Sequence, residues 1–419
     1  MKGIMPYLDN LETRDPAQRE ADLIARLPQL IAHAQKTAGW GKILDGVNAP
    51  DITNRAALAQ LPVTRKSNLK QIQAQSLPFG GLNVTPAREL ARIFMSPGPI
   101  FDPQARSANW GGFARVLHAL GIGQGHLLQN CFSYHFTPAA FMIEAACASL
   151  GCTVIPAGTG QTDMQLQAIQ NLRPEVYAGA PSFLKIILEL AHAKGVDISS
   201  LRCALVSGEA LPESLRNHLR ALGVPLVLQA YGIADVGCVA YETSTDHIVH
   251  PGMVLEEQLL LEIVKPGSGE LVDEGDIGEV VITSFHPEYP LIRFATGDLS
   301  AILPGIAPCG RTNARIRGWL GRADQSTKVR AMFVHPGQVG EIMQRHGQIH
   351  KARLVVSSEA GNDNMTLHCE VNEPLTVEQV AHIQATVRDI TKLRGEVKGL
   401  SIGSLPNDGK VIEDARSYV

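Results

Sequence analysis

The middle of the chain alternates short apolar runs with amphipathic stretches of helical period. Because helices of about ten to fifteen residues connect successive strands in such a pattern, it predicts a parallel sheet covered by helices on both faces. The predicted strands are 127–131, 152–156, 176–178 and 204–206, and the predicted helices are 107–120, 137–150, 162–171, 181–194 and 212–222. We therefore expect an α/β fold.

The regions on either side of this α/β segment predict further structural units. The runs 258–264 and 279–285 predict a small antiparallel β unit, since they are apolar or alternating and a Pro-Gly-Ser-Gly turn lies between them. Residues 1–75 indicate helices and loops, with a helix at 20–36 and Thr64 as the N-cap of a short helix. After residue 322 the pattern becomes α+β. We predict a large N-terminal domain, residues 1–320, and a small C-terminal domain, residues 321–419.

Composition excludes several classes of partner. A net charge of −4 and sparse aromatic residues give no reason to expect nucleic acid, and no apolar run is long enough for a membrane span. The N-terminal segment is acidic, so no signal peptide is predicted. The seven Cys residues lack the spacing of a disulfide framework, which indicates reduced thiols and a cytoplasmic location.

A candidate ligand site lies between residues 293 and 330. Asp298 follows Gly297 at the end of an apolar run, where a carboxylate can accept both hydroxyls of a diol. Arg322 and Lys328 follow and can clamp an anion. The alternative is a turn aspartate with solvated cations nearby.

These residues resemble the paired signature of the adenylate-forming enzymes, which comprise acyl-CoA synthetases, peptide-synthetase adenylation domains and luciferases. The resemblance rests on Thr296-Gly297-Asp298, Gly321-Arg322-Ala323-Asp324 and Lys328-Val329-Arg330. It implies that Asp298 holds the ribose hydroxyls of ATP and that Arg322 contacts the nucleotide. It also implies that Asp324 is the hinge between a large domain and a small mobile one.

Other segments resemble the phenylacetate-CoA ligase branch of that superfamily. They are Leu61-Pro-Val-Thr-Arg-Lys-Ser-Asn-Leu, Leu77-Pro-Phe-Gly-Gly and Leu150-Gly-Cys-Thr-Val-Ile-Pro-Ala-Gly-Thr-Gly-Gln-Thr. The resemblance implies that an aromatic cluster lines the carboxylate pocket, formed by Phe132, Tyr134, His135 and Phe136. Packing in the core, or a loop position for the histidine, is the alternative for these side chains.

Two further segments are implied to bind the nucleotide. The turn after strand 204–206 would lie along the adenine, through Ser207, Gly208, Glu209 and Ala210. Tyr231 and Gly232 open a motif whose Tyr stacks on the adenine in the superfamily, and Asp235 would orient Mg²⁺ on the phosphates. Here Asp235 replaces a Glu, and Ala234 replaces a hydroxyl residue.

Lys410 occupies the position of the superfamily's adenylation lysine, which bridges the substrate carboxylate and the α-phosphate. A surface lysine beside a glycine turn is the alternative. The segment around Cys309 matches one that holds structural zinc in some relatives. The remaining expected Cys positions are not Cys, with only His247 and His250 nearby, so the sequence argues against zinc. Cys238 is expected to be a buried thiol.

The predicted function is activation of a carboxylic acid, aromatic in class, as an acyl-adenylate from ATP, with transfer to coenzyme A (CoA) or another acceptor. Carrier proteins and amines remain open as acceptors because Ala331 stands where the family usually has Gly. A homodimer also remains open. The alternatives are a binding or scaffold protein that has lost ATP turnover, or an acyltransferase that uses a preformed activated acyl group.

The expected phosphate loop departs from the family. Relatives carry a Gly- and Thr-rich loop with a Lys, whereas this chain reads Met-Ser-Pro-Gly-Pro-Ile-Phe-Asp-Pro over residues 95–103. Three prolines remove backbone donors, and Asp102 puts a negative charge near the expected lysine position. The sequence therefore predicts that ATP binds poorly, whereas AMP or an acyl-AMP binds at least as well.

Overall fold

The computed structural model describes residues 6–96, 98–323, 327–330, 332–334, 336–359, 362–406 and 410–416. Their contacts divide the chain into two compact units. The large unit comprises Met1–Ala210 and Arg216–Leu320, and the small unit comprises Leu211–Leu215 and Gly321–Val419.

The helices up to residue 221 are, in chain order, α1 Pro16–Ala25, α2 Leu27–Ala34, α3 Ala38–Ile43, α4 Arg55–Ala59, α5 Leu69–Gln75, α6 Ala114–Ala119, α7 Ala139–Leu150, α8 Thr162–Leu172, α9 Pro181–Lys194 and α10 Glu213–Ala221. The strands of the large unit are β1 Thr64–Arg65, β2 Arg92–Ser96, β3 Ile100–Gln104, β4 Leu127–Asn130, β5 Thr153–Ile155, β6 Val176–Gly179, β7 Cys203–Val206, β8 Leu226–Ile233, β9 Gly237–Tyr241, β10 Ser244–Thr245, β11 Ile248–Val249, β12 Met253–Leu255, β13 Leu259–Val264, β14 Gly278–Ser284, β15 Leu291–Ser300, β16 Ile302–Leu303 and β17 Arg315–Ile316.

A nine-stranded sheet forms the centre of the large unit, in the order β16-β17-β12-β9-β8-β7-β6-β4-β5. The segment from β5 to β8 is parallel, as the alternation of strands and helices predicted. From β8 onward the pairing is antiparallel. The predicted α/β class is therefore confirmed, and the sheet is mixed rather than wholly parallel.

The antiparallel unit predicted after residue 258 is also present. Strands β13, β14 and β15 pair in antiparallel order, and β1 joins β15 in parallel with Thr64 opposite Phe294. The prediction that Thr64 caps a helix is therefore wrong, because this residue belongs to an edge strand. Buried side chains of this sheet share one core cluster with α1 and α2.

Two predicted helices are shorter than their periodicity suggested. The helix expected at 20–36 is broken at Arg26, because Pro28 lacks an N–H and fits only the first turn of a new helix. The helix expected at 107–120 is reduced to α6. Gly111 and Gly112 precede it with φ of 86° and 75°, values in the left-handed region that a right-handed helix cannot use.

The small unit contains β18 Thr327–Val329, β19 Met332–Val334, α11 Pro336–Arg345, β20 Lys351–Glu359, β21 Asn362–Val371, α12 Val377–Thr391, β22 Glu396–Ser401 and β23 Ile412–Asp414. Its sheet has the order β22-β21-β20-β23, and it buries an apolar cluster together with the helices. Thr376 and Gln379 form a capping box that begins α12. This is the α+β pattern expected after residue 322.

Candidate active site

A buried carboxylate lies at the end of β15. Asp298 accepts hydrogen bonds from the hydroxyl of Tyr231 at 2.9 Å and from the indole N–H of Trp319 at 2.9 Å. The hydroxyl of Thr296 accepts the Asp298 backbone N–H at 3.1 Å. One oxygen of the carboxylate is therefore oriented from β8 and the other from the segment after β17. A carboxylate held in this way suits a diol, because its two oxygens are acceptors fixed in orientation.

A second charged cluster lies beside the turn between β8 and β9. Lys66 donates to Asp235 in an ion pair, and the Asp235 side chain is fully buried. Asp102 on β3 is also buried. Among the described residues, neither oxygen of Asp102 and only one oxygen of Asp235 has a hydrogen-bond partner. Two carboxyl groups thus share one nearby ammonium group.

The electrostatics of this cluster follow from burial. Burial, reinforced by the charge of Asp235, raises the pKa of Asp102 to about 8. Burial alone would lower the pKa of Lys66, but the Asp235 and Asp102 carboxylates outweigh it, so that pKa is raised. Asp298 acts on Lys66 in the same direction. The ammonium group therefore lies in the combined field of all three acids.

The segment expected to form a phosphate loop is instead a tight hairpin. Strands β2 and β3 pair in register up to Ser96 opposite Ile100, so that residues 97–99 alone connect them. Phe94 lies opposite Asp102, which places Asp102 inside a strand rather than in a loop. The expectation of a loop over 95–103 is wrong, because most of those residues belong to the two strands.

A small, open cleft borders this cluster. Asp235 lies on its wall, and burial lowers the pKa of His286 on the same wall. The hydroxyl of Tyr289 is buried there without a partner among the described residues. The cleft is lined by Pro103, Ala105, Trp110, Asp235, Val236, His286, Glu288 and Tyr289.

The predicted adenine segment follows β7. The backbone N–H of Ser207 donates to the Gly179 carbonyl at 3.2 Å, which aligns the start of the turn with β6. The Glu209 carboxylate accepts the Ser182 backbone N–H at 3.3 Å, and the Glu209 carbonyl accepts the Gln229 amide at 2.8 Å. These bonds hold the turn at the carboxyl edge of the sheet, the edge where open α/β sheets bind ligands. Its contact with adenine stays a prediction.

The four side chains predicted to line the carboxylate pocket differ in burial and in contacts. Tyr134 donates to Glu144 at 2.8 Å, and Phe132 packs against a core cluster. His135 and Phe136 are exposed, with 54% of the surface of Phe136 accessible. Trp110 lines the cleft, whereas these four side chains do not. A role in binding the carboxylate stays a prediction for all four side chains.

The cluster does not fit a resident magnesium ion. Asp235 offers one buried oxygen without a partner, but the ammonium group of Lys66 already occupies the other. In the part of the chain that the structure describes, no group of three or more His, Cys, Asp or Glu side chains suits a metal. The prediction that Asp235 orients Mg²⁺ on the phosphates of ATP stays a prediction.

The region around Cys309 is instead held by hydrogen bonds and ion pairs. Tyr7 donates to the Cys309 carbonyl at 2.9 Å, and Arg311 donates to the buried Glu12 at 2.6 Å. His250 shares a hydrogen bond of 3.0 Å with Thr243. The contacts of Tyr7 and Glu12 attach the N-terminal segment to the rest of the large unit. Elsewhere in the large unit Cys238 is buried, as predicted, and burial raises the pKa of its thiol.

The remaining predicted residues belong to the small unit. Arg322 is partly buried and Lys410 is exposed. The predicted hinge residue Asp324 lies outside the described residues, as does Ala331. The roles of Arg322, Lys410 and Asp324 stay predictions.

Sequence reasoning missed two residues of the site, Trp319 and Lys66. Trp319 could have been suspected from its place between the two signature segments, and Lys66 from the segment that resembles phenylacetate-CoA ligases. Asp102 was noticed, but its burial beside Asp235 depends on the pairing of β2 with β3. Among the described residues, no helix is long and apolar enough to cross a membrane.

Comparison with known proteins agrees with this architecture. The family described as AMP-binding enzyme matches residues 112–286. Phenylacetate-coenzyme A ligase of Thermus thermophilus is 29% identical over 385 residues, covering 88% of this chain and 85% of the relative. The Escherichia coli protein of the same name is 28% identical, covering 98% of both chains.

Solved structures extend the match to the whole chain. The crystal structure of 2-hydroxyisobutyryl-CoA ligase with 2-HIB-AMP and CoA has a TM-score of 0.83 and 21% identity. It covers 99% of this chain and 93% of that one, and at this identity it establishes the fold alone. The family match and these relatives support an adenylate-forming enzyme. Within that superfamily, the chain is similar to the phenylacetate-CoA ligases over most of its length.

Proposed function

We propose that this enzyme activates a carboxylic acid as an acyl-adenylate and transfers the acyl group to CoA. The observation that carries the proposal is the orientation of Asp298, whose two oxygens are held by Tyr231 and Trp319 at 2.9 Å each. A buried, doubly oriented carboxylate at the edge of an α/β sheet is suited to the ribose of a nucleotide. Catalysis would then rest on positioning and charge stabilisation.

We propose an aromatic carboxylate as the substrate class. The supporting relatives are named phenylacetate-coenzyme A ligase and match most of the chain. CoA is the proposed acceptor for the same reason, while a carrier protein or an amine would use the same acyl-adenylate. Any Mg²⁺ would arrive with ATP as part of the substrate.

The second half-reaction would need the small unit to move. We propose that Asp324 is the hinge and Lys410 the adenylation lysine, on the resemblance of their segments. Asp324→Pro should then alter the rate of adenylation, of acyl transfer, or of both, because proline fixes φ at about −65°. Unchanged rates in both half-reactions would contradict the hinge.

The two half-reactions can be measured separately. Pyrophosphate exchange with a panel of aryl carboxylates reports adenylation, and thioester formation from CoA and a supplied acyl-adenylate reports transfer. We expect at least one aryl carboxylate to support both reactions. Asp298→Ala should abolish both, since both use the nucleoside. If Asp298→Ala keeps the rates of the unaltered protein in both half-reactions, the proposal is contradicted.

A second candidate function is favoured by the β2–β3 hairpin. Residues 97–99 leave little backbone to wrap a phosphate tail, and two of them are prolines without an N–H. An acyltransferase that accepts a preformed acyl-adenylate would not need that tail. Thioester formation without pyrophosphate exchange would identify this function. Binding of an acyl-adenylate analogue without either reaction would identify a binding protein.

A further inference from the structure

Carboxyl groups lie at the wall of the cleft beside the nucleotide site and buried behind it, where a polyphosphate would need donors. Asp235 and Glu288 line it, and Asp102 is buried against Asp235. Three buried oxygens of Asp102 and Asp235 have no hydrogen-bond partner among the described residues. Phosphate oxygens are negatively charged acceptors, so the carboxylates of Asp235 and Glu288, and that of Asp102 above pH 8, repel them rather than bind them.

The cation beside this cleft is already engaged. Lys66 donates to Asp235, and its ammonium group also lies in the field of Asp102 and Asp298. A phosphate tail that recruited Lys66 would leave the fully buried Asp235 without its counter-ion, which is costly. The ion pair therefore opposes polyphosphate binding as well as neutralising the acid.

The hairpin supplies few compensating donors. Ser96 is buried, and its hydroxyl lies 3.4 Å from the Ile100 carbonyl, across the turn. Of residues 97–99, only Gly98 has a backbone N–H, since the other two are prolines. A nest of successive amides, which is the usual backbone device for holding phosphates, cannot form from this sequence.

The part of the site around Asp298 differs from the acidic cleft, because it suits hydroxyl groups. Asp298 is oriented by two donors, and it suits a ribose, which brings hydroxyl groups rather than charge. Asp298 and Lys66 are close enough to interact electrostatically, so the two regions are neighbours. A single α-phosphate needs far less of the acidic cleft than a triphosphate does.

We infer, resting on the proposed nucleotide site, that this cleft selects a nucleoside monophosphate over a nucleoside triphosphate. Asp102 and Glu288 are its specificity-determining residues. The ligands that fit are AMP and an acyl-adenylate. The half-reaction that the site favours is transfer of the acyl group from the adenylate to a thiol, which forms a thioester and releases AMP.

Calorimetry on the full chain tests the inference, with AMP and with ATP in excess Mg²⁺ at pH 8.5, above the pKa of Asp102. We expect AMP to bind at least as tightly as ATP. In Asp102→Asn/Glu288→Gln the ATP affinity should rise at least about tenfold relative to AMP, because like-charge contacts have been removed. Glu274→Gln is the matched control on the exposed surface and should leave the ratio unchanged.

Two results would overturn the inference. One is ATP·Mg binding tenfold tighter than AMP in the unaltered protein, and the other is an unchanged ratio in the double variant. If the double variant does not fold, Glu288→Gln alone serves, because this side chain lies partly exposed at the cleft. Failure of the proposed function is distinguishable, since it would abolish binding of AMP and of an acyl-adenylate analogue together.

Discussion

Asp102 should make the stability of the large unit fall as the pH rises. Its pKa is raised from 3.8 to about 8 in the folded protein, because burial and the charge of Asp235 disfavour the ionised form. Between these two values the folded state holds a proton that the unfolded chain releases. The stabilisation is therefore complete below pH 3.8 and is lost progressively up to about pH 8.

The magnitude follows from linkage. Each pH unit between the two pKa values is worth about 1.4 kcal/mol, so the span from pH 6 to pH 8 corresponds to about 2–3 kcal/mol. Asp102→Asn keeps the shape of the side chain but cannot ionise. The variant should thus gain stability over the unaltered protein by about this amount as the pH rises from 6 to 8, and the gain should level off above pH 8.

Denaturant unfolding monitored by tryptophan fluorescence measures this difference. All three tryptophans, Trp40, Trp110 and Trp319, belong to the large unit, so the signal reports on the right part of the chain. Asp273→Asn, at an exposed position, is the control and should follow the unaltered protein at every pH. Parallel stability curves for Asp102→Asn and the unaltered protein, or a gain that shrinks with rising pH, would refute the reasoning.

Three other perturbations test separate parts of the structure. Asp298→Asn should weaken AMP binding by about 1.5–3 kcal/mol in calorimetry, the usual value of a hydrogen bond to a charged group, and unaltered affinity would remove Asp298 from the nucleotide site. Arg293→Ala should destabilise the large unit by about 3–5 kcal/mol in denaturant unfolding, since it leaves the buried Glu262 unpaired. A loss of stability below about 1 kcal/mol would contradict the burial of the Arg293–Glu262 ion pair. Lys410→Ala should slow adenylation by roughly 10² or more and spare thioester formation, and equal losses in both rates would count against its role.

The resemblance and the hydrophobic pattern located most of the strands and helices. The helix at Pro181–Lys194 matches the predicted bounds, and the strands from Val176 and Cys203 differ from them by one residue at one end. Periods of two and 3.6 residues are local properties that a linear sequence displays directly. Errors arose where a local conformation interrupts the period, as at Gly111, Gly112 and Pro28.

For the site, too, the sequence set some features and the tertiary structure set others. The sequence by itself determined that Asp298 follows an apolar run and that residues 97–99 include two prolines, because chemical identity and local order are written in the chain. Only the tertiary structure decided that Trp319 and Tyr231 orient Asp298 and that Lys66 pairs with Asp235. It also decided that Asp102 is buried beside Asp235. These contacts join residues far apart in sequence, and the charge of a buried carboxyl group depends on which neighbours the fold brings to it.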